Sequence, residues 1–243
     1  MLYDAIGPKG SVRGIRTDLQ QRGDRMDMRN ALPSGTELHF PGMCCCVENE
    51  IGRGSNAIVY KGYYRDASDA SLKHHVLIKE LFPFVQEGKI VRLADNSIQC
   101  DEVAQPHYHL HRLSFERGNQ SHLRLLENSP DQLGANLNTF SLHGTLYTVL
   151  GFNHGQSLAG VIGQEREATL RAYVIRMQGM LRALRAFHDA DSLHLDISPD
   201  NVLVLGQGDT EQILLIDFNS VHTLQELRSG EPLYALQDVQ VLF

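Results

Sequence analysis

The feature that most constrains this chain is a change of hydrophobic period near its middle. Up to about residue 152 the apolar residues come in short runs rich in β-branched and aromatic side chains. Met43 to Val47, Ile58 to Tyr64, His75 to Leu81 and Thr145 to Phe152 are such runs, bounded by Gly, Asn, Asp or Ser. Lys89 to Leu93, followed by Asp95-Asn96-Ser97, reads as a small hairpin. From Glu165 to His188 the period lengthens: Leu170, Val174, Met177, Leu181, Leu184 and Phe187 recur at spacings of three and four without a proline. That pattern predicts an amphipathic helix, with arginines on its polar face. A second helix is expected between Pro106 and Leu126. Val202 to Leu205 and Ile213 to Ile216 then predict a hairpin. A strand-rich first part followed by a helix and a further hairpin points to an α+β protein.

Composition sets outer limits. The 243 residues carry 22 Lys and Arg against 29 Asp and Glu, a net charge of −7, which argues against nucleic-acid binding through bulk charge. With 42% hydrophobic and 21% charged residues the chain can bury a core. No apolar run reaches the ~18 residues of a membrane span, and the first twenty residues hold no secretory apolar block, so no membrane association and a cytoplasmic setting are expected. Residues 1–31, rich in Gly and Arg, read as a flexible polar leader with one helix around Thr17 to Asn30. Leu32-Pro33-Ser34-Gly35-Thr36 is a turn signal. Four cysteines are too few for a disulfide scaffold; Cys44, Cys45 and Cys46 read as small hydrophobes in a strand, whose alternation keeps all three from one metal. His107, His109 and His111 would share a face in a strand, while His107 and His111 would stack in a helix. Either arrangement suits a metal, but a solvated histidine cluster is the expectation.

Three further segments carry chemistry. Gly52-Arg53-Gly54-Ser55-Asn56-Ala57 is followed by Ile58-Val59-Tyr60, so this glycine loop joins two strands and opens no helix. Small residues there would let backbone N–H groups approach phosphates, and an ordinary tight hairpin is the other reading. Lys79 ends an apolar strand about twenty residues later. His194-Leu195-Asp196-Ile197-Ser198-Pro199-Asp200-Asn201 follows the long helix, and Asp217-Phe218-Asn219 follows the hairpin.

At these residues the chain resembles the protein kinase-like superfamily, in the style of bacterial Ser/Thr kinases of eukaryotic type. His-x-Asp-x-x-x-x-Asn is similar to the catalytic loop, and Asp-Phe-Asn to the metal-binding Asp-Phe-Gly. Leu146 to Phe152 resembles the strand entering the adenine hinge, and Gly155-Gln156-Ser157-Leu158 the segment after it. The resemblance covers roughly residues 32–220. It implies a bilobal fold: an antiparallel β N-lobe over 32–152 with one helix, and a shortened, mainly helical C-lobe over 153–243.

The resemblance also implies ATP and Mg²⁺ as ligands, with transfer of the γ-phosphate to a protein Ser or Thr hydroxyl. Asp196 would orient that hydroxyl, Asn201 and Asp217 would hold Mg²⁺, and Lys79 would pair with the phosphates. Gly52, Gly54, Ala57, Val59 and Leu150 would line the nucleotide site, and backbone groups near Gly151 and Phe152 would meet the adenine edge. For the acidic partner of Lys79 it points to Glu116, although counting back from the hinge also allows Gln120, which cannot form an ion pair.

Several positions depart from the family pattern. Leu195 stands for an arginine, Ser198 for a lysine, Asn219 for a glycine, and no Ala-Pro-Glu-like motif is visible within Ser220 to Phe243. A nucleotide-binding pseudokinase or truncated module, or a small-molecule kinase, are therefore the alternative readings. The underside of the 165–188 helix is expected to be covered by a regulatory protein partner or by a second copy of the chain.

Overall fold

The computed structural model describes residues 27, 29–66, 68, 69, 71–165 and 169–229. The helix expected around Thr17 to Asn30 and the tail beyond Ser229 thus lie almost wholly outside the described residues. Strands β1 (Glu37–Phe40), β2 (Met43–Arg53), β3 (Ala57–Arg65) and β4 (Lys73–Leu81) run in meander order. A small hairpin, β5 (Ile90–Arg92) and β6 (Ile98–Cys100), follows, and then the 24-residue helix α1 (Gln105–Asn128). Strands β7 (Asn136–Leu142) and β8 (Thr145–Gly151) complete a six-stranded antiparallel sheet in the order β1-β2-β3-β4-β8-β7. Alternation along each strand gives one core face. Leu38, Phe40, Cys45, Val47, Ile58, Tyr60, Val76, Ile78, Tyr147 and Val149 are buried together. The sheet curls until Phe40 of one edge strand stacks on Phe140 of the other, ring centroids 4.3 Å apart.

The face of β4 opposite Lys79 holds a charged anchor. Glu80 is fully buried and accepts hydrogen bonds from Tyr60 Oη and Tyr147 Oη at 2.7 Å each. Its Oε2 is also 2.6 Å from the Arg92 guanidinium on β5. A buried carboxylate is tolerable only when paired and hydrogen-bonded in this way, and the small hairpin supplies its cation, Arg92.

Beyond β8 come β9 (Gly155–Ser157), α2 (Leu158–Gln164), α3 (Leu170–Asp189), β10 (Ser192–Leu193), β11 (Val202–Leu205), β12 (Gln212–Leu215), β13 (His222–Thr223) and α4 (Leu224–Ser229). The hairpin β11–β12 pairs Val202 with Leu215 and takes β9 as a third strand. A second core gathers Leu125, Leu133, Ala183, Phe187, Val202, Val204, Ile213, Leu215, Phe218 and Val221. No helix among the described residues is long and apolar enough to cross a membrane.

The helix expected over 165–188 is α3, which begins at Leu170 because the Thr169 side chain caps its N-terminus by accepting from Ala172 N–H; the shorter α2 before it is capped by Ser157, which accepts from Gly160 N–H. One feature of the expected helix is corrected: its apolar stripe lies mostly on the outside. Leu170 is 80% exposed and Met177 61%, with Val174 and Leu181 exposed as well. The buried face of α3 is instead Arg176, Gly179, Ala183, Ala186 and Phe187. Small residues win there because the helix lies close on β12: a Cβ on Gly179 would stand 2.6 Å from Ile213 Cγ1. Arg176 is buried because Glu165 and Glu211 both grip its guanidinium, at 2.6 and 2.8 Å.

Candidate nucleotide site

A cleft of about 1200 Å³ opens between the sheet and the second core. Its roof is the β2–β3 connection. Gly54 N–H donates to Ala57 O at 2.9 Å and closes the hairpin. The connection is held from behind: Phe84 N–H donates to Ser55 O at 2.7 Å and the Arg29 guanidinium donates to Gly54 O at 2.8 Å. Arg29 is itself buried and paired with Asp27. Residues 27 and 29–31, expected within a flexible leader, thus include side chains packed against the loop. Neither Gly52 nor Gly54 has a left-handed backbone, and a Cβ on either would meet nothing within 4 Å. The fold itself therefore does not require glycine at these positions.

Lys79 lies on β4 with Val59 and Thr148 as its cross-strand neighbours. Its Nζ is 2.9 Å from Asp217 Oδ1. Burial pushes the Asp217 carboxyl upward, but the Lys79 ammonium and the Asn219 N–H outweigh it and hold the group below its ordinary range. The floor of the cleft is the loop from His194 to Asn201. Asn201 Nδ2 donates to Asp196 O and Asp196 Oδ2, at 2.9 and 2.8 Å. Its amide oxygen and the Asp217 carboxylate are then hard oxygen donors in the same cleft, a set that fits Mg²⁺.

Two residues of this region have left-handed backbones without being glycine, Leu195 at φ 60° and Asp217 at φ 62°. Each costs on the order of 1–3 kcal/mol, and such strain persists where surrounding contacts over-determine it. Here His194 supplies some of those contacts. Its Nε2–H donates to Ile216 O at 3.1 Å, and its ring packs edge-on to Phe187 at 5.2 Å. Burial holds His194 neutral by lowering its pKa.

Of the residues singled out in the sequence, Gly54, Ala57, Val59, Lys79, Leu150, Gly151, Phe152, Asp196, Asn201 and Asp217 line this one cleft. Gly52 is set back in β2, paired with Val59 beside an irregularity in the register. Gly151 is corrected in one respect: its N–H donates to Ala135 O at 2.8 Å and is not available to an adenine edge. Glu116 is also corrected. It pairs with Arg112 at 3.1 Å one turn away on α1 and lies outside the cleft, and Gln120 is exposed. The helix turns about 100° per residue, so the face toward Lys79 belongs to Phe115, Gly118, Asn119 and His122. His107, His109 and His111 sit in the first turns of α1, at its surface or half-buried.

Sequence reasoning missed that α1 face. A Cβ on Gly118 would stand 2.6 Å from Phe218 O, so glycine is what allows α1 to touch the Asp-Phe-Asn backbone. The His122 ring stacks on Phe218 at 3.8 Å and 6°. Its Nε2–H donates to Gly134 O at 2.6 Å, and its Nδ1 accepts from Asn136 Nδ2 at 3.3 Å. Asn119 Oδ1 accepts from Asn136 and from Thr148 Oγ1, which ties α1 to the strand beside Lys79. The available signal was Gly118 and His122 four apart, on the same stripe as Phe115 and Leu125.

No family model matches the sequence. Among solved structures the chain is similar to PpkA-294 in its apo form, a bacterial Ser/Thr kinase, with 26% identity and a TM-score of 0.63. The match covers 79% of this chain and 62% of the other, so the chain spans less than two thirds of that neighbour. The protein has a kinase-like α+β fold, an antiparallel curled sheet with few helices.

Proposed function

We propose that the chain binds ATP with Mg²⁺ in the cleft and transfers the γ-phosphate to a Ser or Thr hydroxyl of a protein substrate. The single observation that carries this reading is the convergence on one cleft of Lys79, Asp196, Asn201 and Asp217 under a loop whose glycines the fold does not itself need. In phosphoryl transfer there is little covalent work for a protein, and positioning with charge neutralisation dominates. Lys79 would exchange Asp217 for phosphate oxygens. Asn201 and Asp217 would hold Mg²⁺, which when bound neutralises phosphate charge. Asp196, held by the Asn201 amide, would accept a hydrogen bond from the attacking hydroxyl and take its proton.

A second reading, a nucleotide-binding pseudokinase, is favoured by one observation. The α1 face toward Lys79 offers Gly118, Asn119 and His122, and no carboxylate. Both readings predict a rise in melting temperature with ATP and Mg²⁺ through linkage, about 2.7 kcal/mol at a hundred times Kd. Incorporation of labelled γ-phosphate by the wild type and its loss in Asp196→Ala is the outcome expected of an enzyme. A thermal shift without transfer would select the pseudokinase, and no shift at millimolar nucleotide would remove both.

A further inference from the structure

The outward face of the β1–β2 hairpin gathers soft and borderline metal ligands that the cleft does not use. Antiparallel pairing sets His39 opposite Cys44 and Glu37 opposite Cys46. Directly opposed residues share a face, so these four side chains project to the same side. On the other side Leu38, Phe40, Cys45 and Val47 are buried in the first core, which makes the hairpin a rigid platform. The alternation that separates Cys45 from its two neighbours is thus what brings Cys44 and Cys46 onto one surface.

We propose that Glu37, His39 and Cys44 form a zinc-class cation site, with water or an incoming donor in the fourth position. One ligand atom from each lies within 4.8 Å of the others, and Glu37 Oε2 is already 3.5 Å from His39 Nε2. Tetrahedral Zn²⁺ with bonds of about 2.0–2.3 Å separates its ligands by about 3.3–3.8 Å, so small side-chain rotations close the set. A thiolate, an imidazole and a carboxylate together suit Zn²⁺ or Co²⁺ and not Mg²⁺ or Ca²⁺, which take oxygen ligands. Cysteine is among the residues most often buried, yet Cys44 is exposed beside two other ligand types. Binding replaces the Cys44 thiol proton, which leaves to solvent, with the metal.

The site is two strands away from β4 and Lys79 in the sheet order, so its test is separate from that of the nucleotide cleft. The reduced full chain is titrated with Co²⁺, whose thiolate-to-metal charge-transfer band in the near ultraviolet reports a Co–S bond, and then with Zn²⁺ in competition. One equivalent of Co²⁺ should give the band and Zn²⁺ should remove it. Cys44→Ser should abolish it. His39→Ala and Glu37→Gln should each weaken Zn²⁺ by at least the roughly tenfold seen when an outer-shell partner is lost. Cys46→Ser and the double variant His107→Ala/His111→Ala should keep the band. No band in the wild type, a band that survives Cys44→Ser, or its loss in either of those last two variants would overturn the assignment. Melting curves without metal identify any variant that fails to fold, and the conservative Glu37→Gln keeps the test open in that case.

Discussion

His122 makes the stability of this protein depend on pH in a way that can be calculated. Burial lowers its pKa from 6.5 to about 4, against the hydrogen bond to Gly134 O, and the Lys79 charge lowers it further. Both ring nitrogens are occupied by the neutral form, Nε2–H donating to a carbonyl and Nδ1 accepting from the Asn136 amide. Protonation would set an N–H against that amide donor. The unfolded chain therefore takes up the proton first as pH falls, and stability is lost between pH 6.5 and about 4. With these two pKa values the loss from pH 7 to pH 5 is about 2 kcal/mol, approaching 1.4 kcal/mol per pH unit in the middle of the window. Chemical denaturation of wild type and His122→Phe at pH 7, 6 and 5 isolates this contribution, since the other buried histidines are common to both. Phenylalanine keeps the stack on Phe218 but takes the donor from Gly134 O and one of two acceptors from the Asn136 amide, so the variant should be less stable at pH 7. The stability gap between the two proteins should then narrow by about 2 kcal/mol at pH 5. A gap that stays constant across the three pH values would refute the assignment of a neutral, proton-resisting His122.

Three further perturbations test how the cleft and the fold around it are held. Gly118→Ala places a Cβ against the Phe218 backbone and should cost about 1–3 kcal/mol in denaturation while weakening nucleotide binding through Asp217. Gly163→Ala on α2, whose Cβ would meet nothing within 4 Å, should stabilise by up to about 1 kcal/mol and leave nucleotide binding alone. Arg92→Leu strips the guanidinium from the fully buried Glu80 and should lower stability by about 3–5 kcal/mol in the same assay, recovered in part by Glu80→Gln in the double variant.

The strands of the sheet were legible because one of their faces is buried and the other wet, so Ile58 to Tyr64 and His75 to Leu81 show their pattern in the sequence. Lys79, Asp196, Asn201 and Asp217 were singled out through the resemblance to protein kinases, whose motifs they match in order, and the structure brings them to one cleft. The α1 face was not, since Gly118, Asn119, Ser121 and His122 are small or polar and leave almost no hydrophobic period. The face of α3 misled for the same reason: close packing on β12 selected Gly179 and Ala183, and Arg176 is buried through two carboxylates distant in sequence. The strand β1 and the partner of Lys79 depend on contacts across the fold, which no local pattern records.

The pairing of Lys79 with Asp217 explains how such a cleft can stand ready. Two carboxylates and an ammonium face a partly enclosed space, where a lone charge would be costly to hold. Their mutual neutralisation at 2.9 Å removes most of that cost, and each remains within reach of a better partner, a phosphate for one and a hard cation for the other. Because α1 presents Asn119 and His122 and not an acid at this place, Lys79 has Asp217 as its carboxylate among the described residues. The helix contributes differently, through the stack of His122 on Phe218 and the clearance left by Gly118. Those two contacts pack against the Asp-Phe-Asn backbone next to the left-handed Asp217. A uniform geometry of Lys79 and Asp217 thus rests on a polar and aromatic interface, and the loss of either contact should be felt at the carboxylate before it is felt in the sheet.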